Sequence, residues 1–342
     1  MSAPLHDRRH ALAAVAIALL SALFFTLTYV LNRAIASDGG HWAWTACLRY
    51  LLTLPLLLPL MRWQGGIAPA WRALRAHPRV WLRCSAIGFV GFYLLLSYAA
   101  SSGPSWLVAG SFQFTVIAGM LCAPLLYRHL AADDPRRRIP RAALAVGVLI
   151  LAGVLLLQFG HAHGRLDRAG WIALACVLGA ALLYPLGNRL LLLHLERSGE
   201  DLNATQRVFG MTLASQPLWL LVAVFAAAQA GAPSPMQVWL AGGVALSAGV
   251  VATILFFQAT GMVRDNPAAL GAAEAMQAAE LLFAIVLGVW LLDEGWPRGV
   301  ALWGAWLVIA GIVTFAWVVA RPQAAAPSGR RALRALRTDR GA

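Results

Sequence analysis

Long runs of apolar residues make up most of the chain, and short clusters of charged and turn-forming residues separate them. Each run has about 20 residues or more, the length that a helix needs to cross the hydrocarbon core of a bilayer. Apolar and polar residues do not alternate within the runs, so the pattern favours helices over the strands of a barrel. It predicts ten spans: 11–35, 42–61, 80–101, 105–127, 141–159, 169–195, 202–228, 237–263, 267–292 and 299–320.

The composition supports a membrane protein. Hydrophobic residues make up 60% of the chain and charged residues 12%, whereas soluble domains carry about 25% charged residues. The first apolar run is too long for the core of a signal peptide, and no small-residue cleavage site follows it. We therefore expect it to be retained as the first helix. The four cysteines show no spacing typical of a metal site or a disulfide framework, and the sequence predicts no metal and no cofactor.

Arginine is distributed unevenly between the two sets of loops. All 27 basic residues are arginine, and the formal net charge is +13. If the chain starts in the cytoplasm, the external loops contain only Arg165, Arg168 and Arg298, and all other loop arginines are internal. This bias places both termini in the cytoplasm of a multi-pass inner (plasma) membrane protein. It also explains the basic charge without nucleic-acid binding. Residues 321–342 are predicted to form a disordered basic tail.

The sequence contains an internal repeat. An Asn-Arg pair near a helix end, an arginine in the next span and a proline in a later link occur once in each half. Because each half has an odd number of spans, the second enters the membrane from the opposite side, as in many secondary transporters. The predicted units are a cytoplasmic N-terminus at 1–10 and two inverted five-helix repeats at 11–159 and 169–320. The matching residues are Asn32, Arg33, Arg49 and Pro104, and Asn188, Arg189, Arg207 and Pro267.

The ninth predicted span carries the only carboxyl groups that lie well inside a span. Glu274, Gln277 and Glu280 fall on one stripe of a helix with many small residues, so the stripe should face the interior of the bundle. Ionisable groups at this depth are costly and are candidates for function. A glutamate whose charged form is poorly solvated can exchange a proton near neutral pH, so Glu280 and Glu274 are the predicted proton-coupling residues. Alternatively, either one forms a structural ion pair with Arg49 or Arg207.

Other polar residues in the spans are candidates for binding substrate. Arg49 is too deep to reach water easily and is expected to pair with a carboxylate. Aromatic side chains on nearby faces provide ring surfaces for flat lipophilic cations. The predicted substrate-binding set is Gln277, Arg49, Arg207, Asn32, Arg33, Asn188, Arg189, Tyr98 and Gln113.

Several motifs resemble the multidrug-resistance efflux transporter family of the drug/metabolite transporter (EamA-like) superfamily. They are the segments at 24–25, 29–33, 39–44, 48–50 and 266–267, together with Glu274, Gln277 and Glu280. The resemblance spans roughly 11–320 and implies ten helices in two inverted halves. The small four-helix multidrug members couple to protons through a glutamate in their first helix. This chain has no acid in its first span, so the coupling role would fall to Glu274 or Glu280.

These features predict a secondary active transporter and not an enzyme. The leading hypothesis is a proton-coupled exporter of lipophilic or cationic compounds, with the lipid bilayer, protons and a small-molecule substrate as its partners. The alternative is an exporter or exchanger of an anionic or zwitterionic metabolite, such as an amino acid, in which Arg49 and Arg207 bind the acidic group. No Walker-type loop is present, which favours an ion gradient as the energy source. The sequence is compatible with a monomer or a homodimer.

Overall fold

A computed structural model describes residues 3–115, 141–162, 167–262 and 276–320, with isolated residues between 118 and 126. All regular structure in these ranges is helical. The helices are α1 (Ala3–Ser37), α2 (Trp42–Met61), α3 (Ala68–Ala76), α4 (Pro78–Ser85), α5 (Phe92–Ala100), α6 (Ser105–Phe112), α7 (Arg141–His161), α8 (Arg168–Ser198), α9 (Ala204–Ala230), α10 (Pro235–Val244), α11 (Thr253–Met262), α12 (Ala279–Leu292) and α13 (Val300–Ala320).

Most predicted spans agree closely with these helices. The second span coincides with α2, and the beginnings of the fourth and fifth coincide with those of α6 and α7. The short helix α3 was not predicted, because its nine residues are amphipathic and do not form an apolar run. Asn266, Pro267 and Glu274 lie outside the described residues, so the repeat at Pro267 and the acidic stripe at Glu274 stay predictions.

The described helices have the length and the surface of membrane spans. Six of them, counting α4–α5 and α10–α11 as continuous helices, are long and apolar enough to cross a bilayer. Three shorter apolar helices lie within α7, α12 and α13. Large apolar side chains are exposed on their outer faces, including Leu221, Val224, Trp239, Trp290 and Trp303. Water would oppose such exposure over so large a surface, whereas lipid favours it.

Helices from the two halves of the chain pack against each other in a reciprocal pattern. The first helix, α1, packs along α10–α11, and α8 packs along α4–α5. In the same way, α2 packs on α9, and α7 packs on α13. Each pair therefore joins a helix of one half to a helix of the other, and the long buried core runs between the halves.

Two of the spans contain a wider helical turn at their centre. A π-helical segment, Ala86–Gly91, joins α4 to α5, and a second, Ala245–Ala252, joins α10 to α11. Such segments often occur where a helix borders a functional site. The first also contains Gly88, whose backbone touches that of Gly187 in α8. A Cβ atom built on Gly88 would lie 3.0 Å from Gly187 Cα. The absence of a side chain at both positions allows the two helices to meet.

Candidate functional site

A cavity of about 710 Å³ lies between the two halves, a size suited to a small organic molecule. Both π-helical segments border it, through Phe89 in the first and Ala248 and Gly249 in the second. Its walls are largely aromatic and aliphatic. The aromatic lining residues are Phe25, Tyr29, Tyr50, Phe89, Phe92, Phe112, Tyr184 and Phe256.

Glu280 lies in the first turn of α12 and forms part of the cavity wall. The residue is 6% exposed. The hydroxyl of Tyr29 donates a hydrogen bond to Glu280 Oε2 over 3.1 Å, and the amide of Gln113 is within hydrogen-bonding reach. Among the described residues, the ion pair within 4.0 Å is Arg33–Glu294, and none is found for the Glu280 carboxylate. Glu280 thus contacts neutral partners.

Arg49 also lines the cavity and is 9% exposed. Its guanidinium carbon lies 4.0 Å from the centre of the Tyr93 ring and 5.2 Å from that of Tyr50. Nε and Nη1 have no hydrogen-bond partner in the described part of the chain. In the described part of the chain, aromatic rings rather than the predicted carboxylate lie against Arg49. Glu274 lies outside the described residues, so a pairing with it stays a prediction. The tyrosine faces stabilise a desolvated cation through their negative ring surfaces.

The other polar residues of the cavity come from both halves. Gln113 is buried, and Nε2 of Gln277 is buried without a hydrogen-bond partner in the described ranges. Asn188 donates to the Tyr184 carbonyl over 3.0 Å, and Arg207 Nη1 donates to the Leu202 carbonyl over 3.3 Å. In total, seven of the predicted site residues line the cavity: Arg49, Gln113, Asn188, Arg189, Arg207, Gln277 and Glu280.

The described lining does not include three residues of the predicted substrate-binding set. Asn32 is buried behind the cavity, where its side-chain Nδ2 lies 3.0 Å from the hydroxyl of Tyr93. Tyr98 packs edge-on against Trp42, with ring centres 5.6 Å apart. Arg33 lies beside Glu294 in a separate surface cavity. Asn32 is thus placed to position a residue that contacts Arg49, while Arg33 and Tyr98 lie away from the central cavity.

A cluster around Glu294 joins three helices at the end where α1, α5 and α12 terminate. Glu294 Oε1 accepts from the Ser105 backbone N–H over 2.6 Å, and Oε2 accepts from the Ser105 hydroxyl over 2.8 Å. Arg33 Nε is 4.0 Å from the same carboxylate, whose side chain is 6% exposed. Burial raises the pKa of Glu294 above its usual range, although the hydrogen bonds from Ser105 and the charge of Arg33 oppose this shift. The carboxylate also caps the N-terminus of α6, a favourable place for negative charge.

Sequence reasoning missed several residues of the site. Tyr50 stacks on Trp219 with ring centres 4.9 Å apart, and Tyr184 packs against Phe92 at 4.9 Å. Tyr50 directly follows Arg49, and Tyr184 lies one turn before Asn188, so proximity in sequence to predicted residues was the available signal. Glu294 was missed because it lies in a link outside the predicted spans.

A comparison with known protein families finds a match over most of the chain. Residues 12–321 match the model of a family described as "Putative multidrug resistance efflux transporter". The chain belongs to this transporter family. The resemblance seen in the sequence motifs is thereby confirmed, and the protein is a multi-pass membrane transporter rather than a member of an enzyme family.

Relatives of the transporter cover most of its length. The chain is 40% identical over 323 residues to "Uncharacterized protein YjlA" of Bacillus subtilis (strain 168), covering 92% of this chain and 98% of that protein. It is 38% identical over 256 residues to "Uncharacterized 42.1 kDa protein in intracellular alkaline protease 3'region" of Shouchella clausii. That match covers 74% of this chain and 66% of the relative. A solved structure titled "Crystal structure of protein" shares the fold, with a TM-score of 0.60 and 14% sequence identity. The superposition covers 91% of this chain and 99% of the solved one.

Proposed function

We propose that this transporter is a proton-coupled exporter of lipophilic compounds, and that Glu280 carries the proton. The observation that supports this most directly is a nearly fully buried carboxyl group in the cavity wall, bonded to a tyrosine hydroxyl rather than to an arginine. A carboxyl group in such surroundings can be neutral or charged, depending on what else occupies the cavity. A buried group that gains or loses a proton as substrate binds is what coupling requires.

The lining of the cavity supports a lipophilic substrate body. Phenylalanine side chains from α1, α5, α6 and α11 surround a space large enough for a two-ring compound. Burying the apolar surface of such a compound contributes about 25 cal/mol for each Å² removed from water. The sequence-based hypothesis of a cationic substrate stays a prediction, because Glu280 is the one acid among the described lining residues and three arginines accompany it.

We further propose that the two halves are inverted and that both termini are cytoplasmic. The reciprocal packing of α1 on α10–α11 and of α8 on α4–α5 is what a two-fold relation between halves produces. In this orientation, the end of α8 and the beginning of α9, which border the cavity, face the cytoplasm. That placement corresponds to an inward-facing state, the state in which an exporter loads its substrate.

Labelling of single cysteines tests the inverted arrangement. In a cysteine-free background, Ala232→Cys and Gln64→Cys place a thiol in the links that follow the second long helix of each half, and both positions are exposed. We expect a membrane-impermeant maleimide added to intact cells to label Ala232→Cys alone. Gln64→Cys should react only after the membrane is permeabilised. Labelling of both positions from the same side would contradict the inverted repeat.

Proton flux in proteoliposomes tests the coupling. The probes are (2-naphthylmethyl)trimethylammonium and naphthalene-2-sulfonate, two permanently charged compounds that share a lipophilic body and cannot carry protons across lipid themselves. We expect a gradient of at least one probe to change the pH reported by a trapped dye, and an imposed pH gradient to drive that probe uphill. If the vesicles transport one of the probes but the internal pH does not change with either, proton coupling is excluded.

A further inference from the structure

The cavity contains a buried cation, Arg49, two of whose nitrogen atoms donate no hydrogen bond in the described part of the chain. Arg49 is 9% exposed, and both Nε and Nη1 are without an acceptor in the described part of the chain. An arginine side chain remains charged under all ordinary conditions and carries five N–H donors. Leaving such donors without acceptors in a desolvated position is costly. A ligand with oxygen acceptors would remove that cost.

The surroundings of Arg49 hold the guanidinium group in place and leave Nε and Nη1 without an acceptor in the described residues. Tyr93 lies 4.0 Å below the guanidinium carbon, and its hydroxyl is 3.0 Å from Asn32 Nδ2. Tyr50, the second ring, is stacked on Trp219. A ring face stabilises the positive charge, but it provides no oxygen acceptor for the N–H groups. The tyrosines therefore orient a cation that remains available to the cavity.

Arginines outnumber acidic residues in the described lining of the cavity. Arg189 and Arg207 line it together with Arg49, and Glu280 is the single carboxylate among the described lining residues. The buried positive charge of Arg49 attracts an anion and opposes a cation. A lipophilic cation would also leave the Arg49 donors without partners, which is an additional penalty against that class of substrate.

We infer that the substrate is a lipophilic organic anion whose acidic group binds Arg49 and whose apolar body packs on the phenylalanines of the cavity. This inference rests on the proposed transport function and specifies its substrate class. N–H···O bonds from a guanidinium to a carboxylate, sulfonate or phosphate are charge-assisted and about twice as strong as neutral ones. Phe25, Phe92 and Phe112 line the same cavity and supply the apolar surface. The geometry thus favours the anionic alternative over the cationic hypothesis.

Calorimetric titration of the purified full-length transporter in detergent tests the inference with three matched probes. They are naphthalene-2-sulfonate, (2-naphthylmethyl)trimethylammonium and the neutral 2-naphthylmethanol. We expect the wild type to bind the sulfonate at least about tenfold more tightly than either of the others. Arg49→Gln should weaken sulfonate binding by about 10- to 100-fold, to the level of the neutral alcohol. Arg72→Gln, at an exposed position in α3, should bind like the wild type.

The outcomes separate this inference from the proposed function. Preferential binding of the ammonium probe, or sulfonate binding that Arg49→Gln leaves unchanged, would overturn the anionic substrate class. Proton-coupled transport of the ammonium probe would overturn it too, while leaving the role of Glu280 intact. If Arg49→Gln does not fold, the preference of the wild type among the three probes decides, and equal affinity for the sulfonate and the alcohol counts against the inference.

Discussion

Replacing Glu280 by glutamine is expected to abolish uphill transport driven by a pH gradient. Glutamine has almost the same size, and its carbonyl oxygen can still accept the hydrogen bond that Tyr29 donates over 3.1 Å. Glutamine cannot bind or release a proton, so the carrier no longer has a protonated and a deprotonated form at this position. We expect the accumulation ratio of a transported probe to fall to its equilibrium value, while downhill flux and exchange continue. Proteoliposomes with an imposed pH gradient measure this directly.

A surface glutamate provides the matched control. Glu196, near the end of α8, is exposed and lies outside the cavity lining described here. Glu196→Gln removes the same charge and should retain the wild-type accumulation ratio. Full accumulation by Glu280→Gln would refute the coupling role of this residue. In that case Glu274, the other predicted acid, would be the next position to neutralise.

Introducing a methyl group at Gly187 is expected to destabilise the packing of the two halves. Gly187 lies in α8 where this helix meets the first π-helical segment, and a Cβ there would collide with the backbone of Gly88 and lie 2.7 Å from the Cys84 carbonyl oxygen. A backbone cannot rotate away as a side chain can, so the helices must separate. We expect Gly187→Ala to cost about 1–3 kcal/mol of stability, and Gly187→Leu to prevent accumulation of monodisperse protein.

Another glycine of the same helix distinguishes this clash from a general effect of substitution. A Cβ on Gly179 would lie 3.1 Å from Leu95 Cδ1, the flexible end of a side chain that can move aside. Gly179→Ala should therefore leave stability unchanged or raise it by about 0.5–1 kcal/mol, because alanine favours the helix. Thermal unfolding in detergent measures both variants. A loss at Gly179 equal to that at Gly187 would contradict the proposed role of the backbone contact.

Spacing and composition predicted individual helices well but not the partners of their side chains. The second span, 42–61, coincides with α2, because long apolar runs bounded by charges have one stable form in lipid. Among the described residues, ring faces rather than the expected carboxylate contact Arg49, and spacing along the chain cannot predict such contacts. A pairing of Arg49 with Glu274 stays a prediction. Arg33 and Tyr98 were predicted to belong to the same site but lie away from the cavity. Both are near helix ends, and a helix of 20 residues has ends about 30 Å apart.

The sequence by itself determined that this protein is a helical membrane transporter and identified Glu280 and Arg49 as costly buried charges, because the bilayer penalises every unsatisfied polar group. Tertiary structure alone decided what those charges touch. The hydroxyl of Tyr29 reaches Glu280 from a helix some 250 positions away in the chain, and the face of Tyr93 covers Arg49. Such contacts depend on the rotation and close approach of neighbouring helices, which small residues such as Gly88 and Gly187 permit.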